Sequence, residues 1–149
     1  TNDKAGKAGR AKWFVANRNV ITQNVKYIDE FQVVVSSANA GGQKRDNQIE
    51  IVDNHSAFGR ARVALRSFKT YEEAHNFYMY ATTYLIRYAF LMTDEALTSL
   101  GLLVPDIENY RADNPVLDFS KNLDEQLFKI INLDDDEIKY IKNVINTLR

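Results

Sequence analysis

The sequence predicts an α+β fold in which strands and loops come first and helices follow. Two runs in the first half are short and rich in β-branched residues, at residues 31–35 and 49–52. After Phe68 the apolar residues recur at helical spacing instead. We therefore expect the N-terminal strands and loops to form a small mixed or antiparallel sheet. We expect the C-terminal half to hold one long helix and two or three shorter ones.

Four segments of the first half predict strands. Residues 12–16 predict a short strand, residues 31–35 a buried one and residues 49–52 a third. In residues 60–68, small or apolar residues alternate with arginines, which predicts a strand with one apolar face and one basic face. The arginines of that basic face are Arg60, Arg62 and Arg66.

Helix-start signals organise the second half. Thr70 and Glu73 have capping-box spacing, and the apolar stripe that follows predicts one continuous helix to about Leu91. A short helix is expected over residues 94–100, with Gly101 ending it. Two further capping boxes predict two more helices, the second of them a closing helix to about residue 148. These boxes are Asn122 with Glu125 and Asp134 with Glu137.

Composition excludes several classes of protein. The 149 residues are 45% hydrophobic and 26% charged, which suits one domain with a buried core. Because cysteine is absent, disulfide scaffolds, thiolate zinc sites and cysteine nucleophiles are excluded, and two histidines argue against a histidine-rich metal centre. No apolar run reaches the roughly 18 residues of a membrane span, so we expect a cytoplasmic protein with no membrane partner.

Charge divides the chain into two blocks. Residues 1–70 hold 12 Lys/Arg and 6 Asp/Glu, a net charge of +6, whereas residues 71–149 hold 7 Lys/Arg and 14 Asp/Glu, a net charge of −7. Such an asymmetry suggests that the first half meets a polyanion. The alternative is that helices collect acids at their N-termini while strands and loops collect the bases.

A polar, basic stretch lies between the predicted strands at residues 31–35 and 49–52. Asn and Gln side chains pair with adenine, Arg and Lys bind guanine and phosphate, and glycines let a backbone approach closely. With the arginines of residues 60–68, this stretch forms a candidate DNA-binding surface. We expect phosphate contacts from Lys44, Arg45, Arg60, Arg62 and Arg66, and base contacts from Asn39, Gln43, Asn47 and Gln48. The alternative is that this stretch is an ordinary solvent-exposed surface loop, since such loops are often polar and basic.

Three patterns suggest a catalytic or metal site, and each has a simpler explanation. Some metal-dependent nucleases have a Pro-Asp step followed by Glu-x-Lys, and the chain matches this pattern at Pro105-Asp106 and Glu137-Ile138-Lys139. However, Glu137 and Lys139 are two residues apart on a predicted helix, so their side chains point away from each other. The acids at residues 134–137 suit a helix N-terminus better than a calcium loop. Asn114-Pro115 lacks the second proline and the aromatic of the amino-methyltransferase loop. We therefore expect no catalytic or metal-binding residue.

From about Tyr27 onward, the order and spacing of several motifs resemble a known family. They are the strand and small-residue loop at 31–42, the Ser-Phe step and acidic helix start at 63–77, the aromatic helix at 84–90 and the tail at 118–141. Together they resemble the C-terminal target-recognition region of Eco57I-like type II restriction-modification methylases, an adenine-specific DNA methyltransferase family. The family's cofactor-binding glycine motif and its Asn-Pro-Pro-aromatic loop are absent from the chain.

The resemblance implies a recognition fragment of a longer enzyme, without catalysis of its own. Residues 27–149 would be the DNA target-recognition domain with its helical tail, and residues 1–26 a flexible or strand-forming N-terminal part. The partners would be double-stranded DNA and the catalytic methyltransferase domain of the same polypeptide. S-adenosylmethionine, and Mg²⁺ if a nuclease is fused, would bind that parent enzyme, so no cofactor is expected here. The alternative is a non-catalytic protein-interaction module that uses the helical half.

Overall fold

The computed structural model describes residues 2–4, 11–36, 49–59, 62–93 and 100–147. Within these ranges the architecture is α+β, as predicted, with strands first and helices after Phe68. The strands are β1 (Asn2–Lys4), β2 (Ala11–Trp13), β3 (Phe31–Ser36), β4 (Glu50–Val52) and β5 (Arg62–Phe68). The helices are α1 (Tyr71–Ala81), α2 (Tyr84–Leu91), α3 (Leu123–Ile130) and α4 (Asp135–Thr147).

Strand β3 is the centre of a three-stranded antiparallel sheet with the order β4-β3-β5. Its residues Val33, Val34 and Val35 are fully buried, together with Ile28 and Val52. Helix α1 packs against the sheet and contributes to this burial. A strand that is buried on both faces has a continuous apolar sequence instead of an alternating one. This explains the run of β-branched residues at 31–35. Strands β1 and β2 form a separate two-stranded antiparallel pair.

A β-bulge in β5 corrects the predicted arginine face. Val33 lies opposite Arg66, but its neighbour Val34 lies opposite Ala64, so one extra residue of β5 stands between these two pairs. Because successive residues of β3 point to opposite faces, Arg66 shares the face of Val33, and Arg62 shares the face of Val34. The expected single basic face is therefore wrong for these two arginines. The alternation of side chains predicts the two faces of a strand only while the strand is regular. Arg60 lies outside the described residues.

The predicted continuous helix from residue 71 to about 91 is also wrong. It ends at Ala81, and a second helix begins at Tyr84. Two consecutive threonines cause the break, because their hydroxyl groups compete with the helical backbone for hydrogen bonds. The hydroxyl of Thr82 donates to the carbonyl of Tyr78 (2.8 Å), and Thr83, in an extended conformation, caps α2 by accepting from the N–H of Ile86 (3.4 Å). The longest described helix is instead α4, with 13 residues.

The predicted N-cap residues are confirmed at three helix starts, and the reciprocal capping box is complete at the start of α4. Thr70 accepts from the N–H of Glu73 (3.3 Å), and Asn122 accepts from the N–H of Glu125 (3.2 Å). Asp134 and Glu137 form a reciprocal pair, each side chain accepting from the other backbone N–H at 2.9 Å. Each such cap stabilises its helix by about 1 kcal/mol. The short helix expected over residues 94–100 falls almost wholly outside the described residues.

An aromatic cluster joins the sheet to the helical half. The buried ring of Tyr110 makes edge contacts with Phe77 (4.9 Å between ring centroids), Tyr80 (5.5 Å) and Phe68 (5.8 Å). The buried side-chain amide of Asn76 donates to the carbonyl of Tyr110 at 2.8 Å. These contacts fix residues 104–119, which contain no helix or long strand, against α1 and β5.

Candidate nucleic-acid interface

The candidate loop is attached to a rigid pair of strands. β3 and β4 pair antiparallel, with Val34 opposite Glu50, so the connection at residues 37–48 starts and ends at the same end of the sheet. Val35 and Ile49, close to the two ends of that connection, are buried in the core. Binding residues are commonly carried on loops that a rigid framework positions in this way. The candidates on this connection lie outside the described residues: Asn39, Gln43, Lys44, Arg45, Asn47 and Gln48.

Arg62 forms an ion pair with Glu50, which crosses the central strand from β5 to β4. The pair lies close to the candidate loop, since Glu50 follows it by two residues. Burial lowers the pKa of the Arg62 guanidinium, which nevertheless stays charged at neutral pH. Arg62 therefore binds the two outer strands together, and its charge is matched within the fold.

Arg66 is fixed more firmly, on the other face of the sheet. Its guanidinium pairs with Asp106 and lies 5.5 Å from the centroid of the Tyr110 ring. The Tyr110 hydroxyl donates to the second oxygen of Asp106 at 2.7 Å, and burial, together with this carboxylate, raises the Tyr110 pKa far above its ordinary value. Tyr110 is thus a neutral donor at neutral pH, and Asp106 has a partner on each oxygen. Arg66 and Asp106 hold residues 104–119 against the sheet.

A third arginine of the basic half is also paired. Arg18 donates through both terminal nitrogens to the two carboxylate oxygens of Asp29, at 2.6 and 2.7 Å. Among the described residues of the first half, every arginine therefore has a carboxylate partner. A guanidinium has five N–H donors, so each pair leaves donors for a phosphate, but the pair itself has no net charge. Six of the other cations of this half lie in residues 1–12 and 37–48, whose side chains are outside the described part of the chain.

The residues that suggested other chemistry have structural roles. Asp106 accepts from Arg66 and Tyr110, and Glu137 belongs to the capping box at the start of α4. Of the two histidines, His55 donates its backbone N–H to Asp53 (3.0 Å), and Asp53 also accepts from the hydroxyl of Ser56 (2.6 Å). Within the described ranges, no three His, Cys, Asp or Glu side chains converge as a metal site requires.

Sequence reasoning missed the acidic partners of the arginines. Glu50 and Asp106 are 12 and 40 residues from Arg62 and Arg66, so no local pattern connects them. The available signal was the strand assignment itself, since residues 49–52 and 60–68 were both expected to belong to one sheet. That signal can place Glu50 near Arg62 only once the strand order is known.

Comparison of the chain with protein-family models, curated proteins and solved structures finds no match. In the part of the chain that the structure describes, no helix combines the length and the apolar character that crossing a membrane requires. The function is therefore argued from the geometry and charge of the chain itself.

Proposed function

We propose that the chain is the DNA target-recognition domain of a restriction-modification methylase of the Eco57I-like type. The observation that carries the proposal is the attachment of the polar, basic residues 37–48 to the paired ends of β3 and β4. The +6 charge of residues 1–70 supports it, because a polyanion is attracted to a surface with excess cations. A loop on a rigid two-stranded base can enter a groove of DNA without moving the rest of the fold.

The proposed contacts divide by chemistry. Lys44 and Arg45 neutralise phosphates and supply most of the affinity that is independent of sequence. The amide side chains of the loop, Asn39, Gln43, Asn47 and Gln48, read base edges, since each can both donate and accept. Arg60, Arg62 and Arg66 remain candidate phosphate contacts, but for Arg62 and Arg66 a phosphate must compete with Glu50 and Asp106. We expect these two arginines to contribute less to DNA affinity than the loop cations.

In this proposal, the chemistry resides elsewhere in a parent enzyme. A catalytic domain of the same polypeptide would bind S-adenosylmethionine, and Mg²⁺ if a nuclease is fused, and would act in the cytoplasm. The acids of the helical half support this division, because they repel phosphate and favour a position away from the DNA.

Salt dependence of binding tests the proposal. The logarithm of the affinity for random duplex DNA should fall with log salt by about 0.9 per phosphate contact. Replacing Lys44 and Arg45 by alanine should reduce that slope by up to about two units and weaken all sequences alike. The matched control replaces Lys129 and Lys139, two exposed lysines of the helical half, and should leave the slope unchanged. Equal effects of both double variants would contradict a role for the loop.

Exposed apolar side chains on the helical half favour a second candidate function. Ile130 and Ile131 at the end of α3, and Tyr140 on α4, are large and exposed. Such residues are typical of protein contacts when they form a continuous patch. We propose a protein-interaction module as the alternative, and it predicts no DNA binding even at low salt. Analytical ultracentrifugation of the chain with the rest of its parent polypeptide would then detect a complex that Ile130→Asp weakens.

A further inference from the structure

A groove lies in the helical half of the chain, where the start of α2 meets α3 and α4. Its volume is 540 Å³, within the range of sites for small molecules. Asp124 and Phe128 are four residues apart on α3, and so share one face of that helix. Ile138 and Lys142 share one face of α4 in the same way. Both faces line the groove, and Tyr84 of α2 lines it as well.

The aromatic side chains of the groove are held in place. The backbone N–H of Tyr84 donates to the carboxylate of Asp124 at 2.7 Å, and its hydroxyl donates to the side-chain oxygen of Asn146 at 3.1 Å. The ring of Phe128 is buried. The Lys142 ammonium lies 5.9 Å from the centroid of the Tyr84 ring and 5.5 Å from that of the Phe128 ring. Because aromatic faces attract a cation, the two rings keep this ammonium at the groove.

The groove contains opposite charges that are not joined by ion pairs. Its charged lining residues are Asp124, Glu125, Lys129 and Lys142, so their net charge is zero. In the described part of the chain, none of these four side chains belongs to an ion pair. Burial raises the pKa of Asp124, while the N–H of Tyr84 and the charge of Lys142 act in the opposite direction. A partly desolvated carboxylate without an ion-pair partner gains from a cationic group that a ligand brings.

These features indicate the chemistry of the ligand. A simple anion would meet the two acids of the groove, and a simple cation would meet its two lysines. A molecule that carries one charge of each sign matches the groove, whose net charge is zero. Leu133 and Ile138 are partly buried and add apolar surface beside Phe128. A free amino acid with an apolar side chain combines an ammonium, a carboxylate and an apolar body.

We propose that this groove binds a free amino acid with an apolar side chain. The ligand's ammonium binds the carboxylate of Asp124, and its carboxylate binds the ammonium of Lys142. Its side chain packs against Phe128 and Ile138. This inference does not rest on DNA binding, and it gives a small-molecule ligand to the half of the chain that makes no DNA contact in the proposed function.

An NMR titration of the isotope-labelled chain tests the proposal. The reporter is the amide signal of Tyr84, because its N–H is bonded to Asp124. The probe is L-phenylalanine, which should shift this signal until the groove is saturated. Two analogues each lack one charge: N-acetyl-L-phenylalanine lacks the ammonium, and L-phenylalaninamide lacks the carboxylate. Each analogue should bind about 10- to 100-fold more weakly, because one charge-assisted hydrogen bond is lost.

Two variants assign the charges to their residues. Asp124→Asn keeps an acceptor for the N–H of Tyr84 but removes the charge. It should abolish the preference for L-phenylalanine over the N-acetyl analogue and retain the preference over the amide. Lys142→Met keeps an apolar stem and should do the reverse. Because each variant must retain one preference, unfolding cannot produce the expected result. The matched control is Lys139→Met, which removes an exposed lysine of α4 outside the groove and should retain both preferences.

Three results would overturn the proposal. If the Tyr84 amide signal does not shift up to the solubility limit of L-phenylalanine, the groove binds no free amino acid. If L-phenylalanine and both analogues bind equally, the groove is an apolar site that does not recognise the two charges. If the signal shifts with protein concentration alone, a second copy of the chain covers the groove. The proposed DNA-binding function is tested separately by salt dependence, so its failure and the failure of this inference are distinguishable.

Discussion

Residues 13–30 and 104–119 are both connecting segments without a long strand or α-helix, yet the fold holds them differently. The first contains two short 3-10 turns, and its single buried residue is Ile28. Its main side-chain anchor is the exposed pair of Arg18 and Asp29. The second buries Val104, Tyr110 and Leu117 in the core.

The difference lies in burial rather than in the type of interaction. Both segments use an arginine–aspartate ion pair, but Arg66 and Asp106 are only 30% and 14% exposed, and Tyr110 and the aromatic cluster surround them. An ion pair in water contributes little, because solvent screens it and both side chains lose freedom. The same pair beside buried rings cannot be broken without leaving a poorly solvated charge. Residues 104–119 are therefore part of the core, while residues 13–30 lie on its surface.

The largest effect is expected at Tyr110. Tyr110→Ala removes a fully buried ring that contacts Phe77 and Tyr80, and should lower the free energy of unfolding by about 3–5 kcal/mol. Urea denaturation measures this change. The control Tyr140→Ala removes an exposed tyrosine and should cost about 0.5 kcal/mol or less. Similar losses in the two variants would show that residues 104–119 are not part of the core.

The next effect is expected at the partly buried ion pair. Arg66→Met leaves the Asp106 carboxylate with two donors, the Tyr110 hydroxyl and the backbone N–H of Glu108, and should cost about 1–3 kcal/mol, between the values for exposed and buried pairs. Asp106→Asn keeps an acceptor for Tyr110 while removing the charge. The double variant should cost less than the sum of the single changes. Strict additivity in denaturation experiments would show that the two charges do not interact.

A smaller effect concerns the pH dependence of Asp118. Hydrogen bonds from the Ser120 hydroxyl (2.5 Å) and backbone (3.0 Å), with the Lys121 ammonium nearby, lower the pKa of Asp118 to about 2. Because the folded-state pKa lies below the unfolded value, this interaction stabilises the fold above the unfolded pKa and is lost as the pH falls toward 2. NMR titration should place the Asp118 midpoint near 2. In Ser120→Ala the midpoint should move up toward the ordinary value of 3.8.

The smallest effect on stability is expected at Arg18. Because Arg18 and Asp29 are both exposed, Arg18→Ala should leave the denaturation midpoint unchanged at physiological salt. The hydrogen bond from Arg18 lowers the pKa of Asp29, so the same variant should raise that pKa. A marked loss of stability would place residues 13–30 in the core and remove the contrast with residues 104–119.

Local patterns predicted the starts of α1, α3 and α4 and the strands β3, β4 and β5, and failed where a pattern was interrupted. The strand expected over residues 12–16 is instead β2 at Ala11–Trp13. The N-caps at Thr70, Asn122 and Asp134 could be predicted because their partners lie three residues away. The break at Thr82 and Thr83 was missed, although the threonine pair is visible in the sequence, because the apolar stripe continues through it. The bulge in β5 leaves no local signal, since it depends on the pairing of β5 with β3.

By itself, the sequence determined the α+β class, most of the strand and helix segments and the division of charge, because each depends on neighbours within a few residues. Tertiary structure alone decided which cations are matched. Glu50 and Asp106 reach Arg62 and Arg66 only when the strand order and the packing of residues 104–119 are set. It also decided that Asp124 and Lys142 line the same groove. Charge is a property of composition, but its effect depends on the distance between side chains, which only the folded chain fixes.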